Sequence, residues 1–137
     1  VYRLALAVVR AVEEGADPGL VLRYLEAWLL RLHGLYPPLD RCASCSRGLG
    51  GGRLEYHRTA HGFVCTACGP ASGPVLAAEA GSLLSDIFSQ PPATLAGGAE
   101  HHVRALESFH RDLVGAHLER DLRSPRVIRE ATREVAS

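Results

Sequence analysis

Four cysteines limit this chain more than any other feature. They read Cys42-Ala43-Ser44-Cys45, nineteen residues, then Cys65-Thr66-Ala67-Cys68. This C-x2-C-x19-C-x2-C pattern falls within the spacing of a four-thiolate zinc site. Two residues between ligands let both sulfurs of a tight knuckle turn towards one point about 2.3 Å away. Two such knuckles joined by a hairpin complete a tetrahedron. The spacing predicts one structural zinc ion per chain, held by Cys42, Cys45, Cys65 and Cys68.

Three other readings of these residues fit less well. Two disulfides would suit a small secreted domain, but the flanking segments carry enough apolar residues to fold without staples, and no export signal is found. A thioredoxin-type redox pair needs a C-x-x-C that opens a helix after a strand, and neither pair does so. Cys42 and Cys45 followed by His57-x3-His61 imitate a finger with two cysteines and two histidines. That finger needs its histidines on a helix. Here Gly48, Gly50, Gly51 and Gly52 precede them and Gly62 follows, and each glycine costs about 1 kcal/mol in a helix interior. The rival set also leaves Cys65 and Cys68 unused. His57 and His61 are expected on the hairpin surface or beside the metal site.

Helices are expected around this module. Apolar residues at Leu4, Val8, Val9 and Val12 recur until Gly15. Asp17-Pro18 then supplies an N-cap and a proline for the first helical position. Val21, Leu22, Leu25, Trp28, Leu29 and Leu32 follow at helical spacing until Gly34. After the second knuckle a helix is expected from about residue 76 to 88, and a longer one from about 99 to 122 that offers Val103, Leu106, Phe109, Leu113, Ala116 and Leu118 for burial. Ser124-Pro125 would start a last helix reaching about residue 135. Trp28 reads as core, and His101, His102, His110 and His117 as boundary residues. The fold class is mainly α: a helical bundle with an inserted four-cysteine zinc-knuckle β-hairpin module. The organisation is a first helical part (1–36), the zinc module (37–75) and a second helical part (76–137) packing with the first.

Composition and charge narrow the function. Fifteen basic residues, all arginine, balance fifteen acidic ones. With no methionine, the chain reads as processed, trimmed or part of something longer. Zero net charge argues against a strongly steered polyanion binder. No apolar run approaches the length of a membrane span. Motifs for acyl transfer, metalloprotease, nucleotide-phosphate or dinucleotide chemistry are missing, and four thiolates leave a zinc ion no open position for water. The chain is expected not to be an enzyme. The candidate phosphate contacts are Arg47, Arg53 and Arg58 on the hairpin, with Arg123 and Arg126 near the last helix. Arg126 would sit in its first turn, where free N–H groups favour an anion. Residues 37–68 carry a net charge of +2, which a zinc ion with four thiolates brings near zero. Arg120, Arg123, Arg126, Arg129 and Arg133 read evenly as a solvated helix with i,i+4 partners such as Arg126 and Glu130, or as phosphate-facing.

The order of elements resembles the bacterial recombination mediator RecO family. The helix and the stretch Leu25 to Cys45 (LEAWLLRLHGLYPPLDRCASC) match its apolar helix running into a first cysteine pair. His61-Gly62-Phe63-Val64-Cys65-Thr66-Ala67-Cys68 matches the close of its hairpin, and Leu118-Glu119-Arg120-Asp121-Leu122-Arg123-Ser124 its C-terminal helix reaching a basic stretch. The resemblance covers nearly the whole chain in order. Gly62-Phe63 stands where many members have two glycines. Other members have lost the cysteines, so zinc is not essential to the family's activity. The resemblance implies the helical, zinc-bearing C-terminal part of a bacterial recombinational-repair mediator, cytoplasmic and nucleoid-associated, without the family's N-terminal OB-fold. Such proteins bind single- and double-stranded DNA, anneal complementary strands, and act with RecR to load recombinase on DNA coated by single-strand-binding protein, whose acidic C-terminal tail they receive. The alternative is a zinc-ribbon protein-interaction adaptor without direct DNA contact.

Overall fold

The computed structural model describes residues 2–95, 100–122, 129–130 and 132–134. Helix α1 (Tyr2–Glu13) ends where Gly15 takes a positive φ of 85°. Helix α2 (Pro18–Leu32) then starts on Asp17, whose side chain accepts a hydrogen bond from Leu20 N at 3.2 Å, with Pro18 at the first position. Gly34, at φ 72°, stops α2: its N–H reaches Arg31 O at 3.0 Å, and the N–H of Leu35 reaches Leu30 O at 2.8 Å. This glycine-ended pairing satisfies carbonyls that the last helical turn would otherwise leave bare.

The hairpin consists of β1 (Leu54–His57) and β2 (Gly62–Val64), antiparallel with Tyr56 opposite Phe63. A third strand, β3 (Val75–Leu76), adds to the other edge of β1, so the sheet order is β2-β1-β3. The spacing predicts a helix from about Leu76. Instead the carbonyl of Pro74 accepts from Tyr56 N at 3.1 Å, and the chain runs extended through Ala77 before helix α3 (Ala78–Ser89) begins. Helix α4 (Glu100–Leu122) closes the fold. The helix expected from Ser124-Pro125 falls largely outside the described residues.

One buried cluster runs through α2, the sheet, α3 and α4, with Leu4 and Val8 of α1 packed against it half-buried. It takes Leu20, Tyr24, Ala27 and Leu30 from α2, Leu54, Tyr56, Phe63 and Leu76 from the sheet, Leu83, Leu84 and Ile87 from α3, and Leu106, Phe109 and Leu113 from α4. Trp28 packs at its rim, donating to Ile87 O at 3.0 Å and meeting Phe88 edge-on. Leu118, offered for burial by its spacing, is 53% exposed: at this end of α4 it is Ala116 and Arg120 that face the hairpin, and Leu118 lies on another side of the helix, nearer the exposed Val114. No helix among the described residues is long and apolar enough to cross a membrane.

A polar seam ties α2 to α4. Arg23, 6% exposed, donates from Nη1 to Glu107 at 2.6 Å and from Nη2 to Glu26 at 3.1 Å. His110, 2% exposed, stands with Nδ1 3.0 Å from Glu26 Oε1 and Nε2 2.8 Å from the Tyr36 hydroxyl. A carboxylate only accepts, so Nδ1 carries the proton and Nε2 accepts from Tyr36, which burial keeps protonated by pushing its pKa well up. The neutral imidazole satisfies both partners, and burial lowers its pKa below the ordinary 6.5 despite the opposing pull of Glu26.

A lowered histidine pKa means that the unfolded chain binds the extra proton first as pH falls, so this group's stabilisation is present above about pH 6.5 and declines below it. Thermal unfolding of the parent and His110→Gln at matched metal content checks this. The parent's advantage should shrink between pH 7 and pH 5, by at most about 1.4 kcal/mol per pH unit.

Candidate metal centre

Each knuckle is folded by its own backbone. In the first, Cys42 N–H donates to Arg47 O at 2.8 Å and Ser46 N–H to Cys42 O at 3.0 Å, with Ser46 at φ 65°. A bridge between Arg41 and Gly48 closes the loop behind it. In the second, Cys65 is extended, Thr66–Cys68 form a single 3-10 turn, and Cys68 N–H returns to Cys65 O at 3.1 Å. The two are joined where Ala43 N–H donates to Phe63 O at 2.8 Å and Cys65 N–H to the Cys42 sulfur at 3.3 Å.

This brings the four sulfurs together. Cys42 Sγ and Cys68 Sγ are 3.7 Å apart, Cys45 and Cys65 3.7 Å, and Cys65 and Cys68 3.6 Å. All four lie within 4.8 Å of one another, and all are free thiols. A tetrahedral ion with metal–sulfur bonds of about 2.3 Å has sulfur–sulfur edges of about 3.8 Å. The observed separations fit that figure.

The protonation chemistry points the same way. The Cys45 backbone N–H, then those of Cys65 and Ser44, draw the Cys42 thiol down to about 6 against the effect of burial. Cys65 is also lowered, first by the Cys68 thiol, while Cys68 is pushed up to about 12, first by Cys65. The first charges form readily and the last is resisted by its neighbours. A divalent cation would remove that resistance, so the cluster suits a metal better than any set of bare thiolates.

Among the described residues, no histidine joins the cluster. His57 Nδ1 accepts from Ala60 N at 3.4 Å, and His61 Nδ1 lies 2.9 Å from Arg120 Nη1. His110 belongs to the α2–α4 seam, and His117 is exposed on α4.

The hairpin arginines are exposed but do not converge. Arg47 is in the first knuckle, and Arg53 and Arg58 flank β1 at opposite ends. Arg53 pairs with Glu55 at 3.1 Å, whereas Arg58 Nε donates to Ser72 O at 3.0 Å. Arg123 and Arg126 lie outside the described residues. Arg120, which the sequence leaves evenly between a solvated face and a phosphate contact, meets His61 instead. Its contact with His61 spans 59 positions, and no local pattern signals it.

A family model described as Recombination protein O C terminal matches residues 1–126, a span that includes both knuckles and the helices around them. The chain belongs to this family. Membership makes it part of a DNA repair and recombination family, as the resemblance implied. The DNA repair protein RecO of Listeria monocytogenes serotype 4a (strain HCC23) is 32% identical over 67 residues, covering 49% of this chain and 26% of that protein. The DNA repair protein RecO of Anaeromyxobacter sp. (strain K) is 29% identical over 121 residues, covering 88% of this chain and 48% of that protein. The chain thus spans about half the length, or less, of these RecO relatives. No solved structure matches it significantly.

Gly62 gives the centre a steric test. A Cβ there would meet the Ala43 side chain at 2.7 Å, where β2 passes the first knuckle. Gly62→Ala should destabilise the chain by about 1–3 kcal/mol and speed metal loss to a chelator, read by thermal unfolding and by release of the bound ion.

Proposed function

We propose that this chain is the helical, zinc-bearing part of a RecO-type recombination mediator. Within such a protein it binds single- and double-stranded DNA, aids annealing of complementary strands, and works with RecR to load recombinase on strands coated by single-strand-binding protein. The supporting observation is the family match across residues 1–126, joined to a sulfur cluster of tetrahedral dimensions. The ion is zinc, one per chain. With four thiolates it has no open position, so its role is structural, and the chain is not an enzyme.

The tail of the coating protein, acidic and apolar, has a candidate seat. A cavity of about 480 Å3 is walled by Arg31, Tyr36, Pro37, Leu39 and Phe88, with Asp40 also on its lining. The Arg31 guanidinium lies 4.7 Å from the centre of the Phe88 ring and 5.2 Å from that of Trp28. An arginine held over aromatic faces offers a carboxylate two parallel N–H groups beside apolar surface.

The adaptor reading, protein contact without DNA, draws support from the scattered hairpin arginines and the Arg53–Glu55 pair. Salt dependence separates the two readings. A DNA-binding chain loses affinity linearly in a log–log plot, each neutralised phosphate adding about 0.9 to the slope on duplex. Binding should be weak and sequence-independent, near the weak end of about 10⁻⁴–10⁻⁶ M. The double variants Arg53→Glu/Arg58→Glu and Arg123→Glu/Arg126→Glu should weaken it for unrelated sequences alike. If neither changes DNA binding, these arginines are a solvated surface.

Native mass spectrometry should find one zinc ion per chain, lost to a chelator. Cys65→Ser should lose the ion and the order of the hairpin. Two disulfides in a metal-free chain would refute the zinc assignment.

A further inference from the structure

A cleft between the hairpin and α4 stands apart from the metal centre. It holds about 190 Å3 and is lined by Tyr56, Arg58 and His61 on one side and by Asp112, Leu113, Ala116, Glu119 and Arg120 on the other. A second hollow of about 230 Å3 shares Tyr56, His61, Leu113, Ala116 and Arg120 with it and continues towards Pro37.

Its polar groups are set but only partly used. Arg58 is anchored by its Nε to Ser72 O at 3.0 Å and by its backbone N–H to Ser72 Oγ at 2.9 Å. Its two terminal nitrogens make no hydrogen bond among the described residues. Arg120 donates to His61 Nδ1 at 2.9 Å. A guanidinium cannot accept, so in this contact the His61 Nδ1 is the acceptor. His61 sits at φ 55°, an unusual conformation for a residue with a Cβ and one that clusters at binding sites. Tyr56 is 6% exposed, and its hydroxyl makes no hydrogen bond among the described residues. It lies within electrostatic reach of Arg58, Arg120 and Asp112.

The charge pattern selects the ligand. A bare anion would meet two guanidiniums but also Asp112 and Glu119. A nucleotide carries both complements: a phosphate for the arginines, and a flat base whose amino group can donate to a carboxylate. Leu113 and Ala116 supply apolar surface between them. We propose that this cleft takes one unpaired nucleotide of single-stranded DNA, its phosphate on Arg58 and Arg120 and its base over Leu113 and Ala116 with its amino edge towards Asp112. A base in a duplex cannot enter, because its amino edge is already paired. This rests on the DNA-binding reading above and adds to its sequence-independent phosphate grip a requirement for an unpaired strand and, at this one cleft, a preference for bases that carry an amino group.

Fluorescence anisotropy of the full 137-residue chain with labelled oligo-dC, oligo-dT and a mixed-sequence duplex tests this. Arg58→Ala and Arg120→Ala should each weaken binding to both single strands about tenfold and duplex binding less than about twofold. Asp112→Ala should weaken oligo-dC and spare oligo-dT, since thymine has no exocyclic amine. Arg47→Ala, outside the cleft, is the control. All of these side chains are exposed, and an unchanged melting temperature confirms folding. Equal losses on single strand and duplex would mean simple phosphate contact and overturn the cleft proposal while leaving DNA binding intact. Unchanged affinities in all three cleft variants would overturn it in the same way. A parent chain that binds no DNA would overturn both readings. Loss of a protein partner with DNA binding preserved would assign the cleft to protein and refute the proposal.

Discussion

Phe109 is the contact on which the arrangement of this molecule depends. From α4 its ring stacks on Phe63 at 5.3 Å and meets Tyr56 at 5.6 Å and Tyr36 at 5.9 Å, both nearly edge-on. Aromatic pairs at such separations are each worth about 0.5–1.5 kcal/mol beyond the area they bury. Here one ring joins the hairpin, the approach to the first knuckle and the long helix. The knuckles therefore sit on a sheet whose inner face is already part of the helical core. The metal centre and the cleft beside α4 inherit their positions from the same packing.

That packing divides the labour between apolar burial and metal. Small zinc modules often have too little core to fold without their ion. In this chain β1 and β2 lean on Phe109, so an ion bound at the four cysteines would order the knuckles while the aromatic contact holds the strands.

Much of this was legible in the residues. The cysteine spacing indicated which four sulfurs meet, because knuckle geometry is local. Asp17-Pro18 and Gly34 marked the ends of α2 for the same reason. The two-residue strand Val75–Leu76 was not legible: a segment that short has no period, and only its pairing with β1 defines it. The exposure of Leu118 follows from its place on α4: it stands off the face that carries Leu106, Phe109 and Leu113, and an apolar residue near the end of a helix is not buried by its type alone. Arg23 with Glu107, and Arg120 with His61, are 84 and 59 positions apart. Nothing near either arginine announces its partner. The hairpin arginines could be named from the sequence, but whether they converge depends on strand parity and on Glu55.

The polar seam between α2 and α4 has a consequence for the order of events during synthesis. Arg23 and Glu26 leave the ribosome about 80 residues before Glu107 and His110, a lag on the order of 4–16 seconds at bacterial elongation rates. Throughout that interval the helix carrying them displays an arginine without its distant carboxylate, next to apolar residues that also await α4. The knuckles, by contrast, draw all four ligands from a span of 27 residues and can close around an ion as soon as Cys68 emerges. Metal capture would then precede helical docking, and a nascent chain would present a finished sulfur site on an unfinished body. The exposed sheet face would then wait for Phe109 for as long as elongation takes to reach α4, whether or not an ion is already bound.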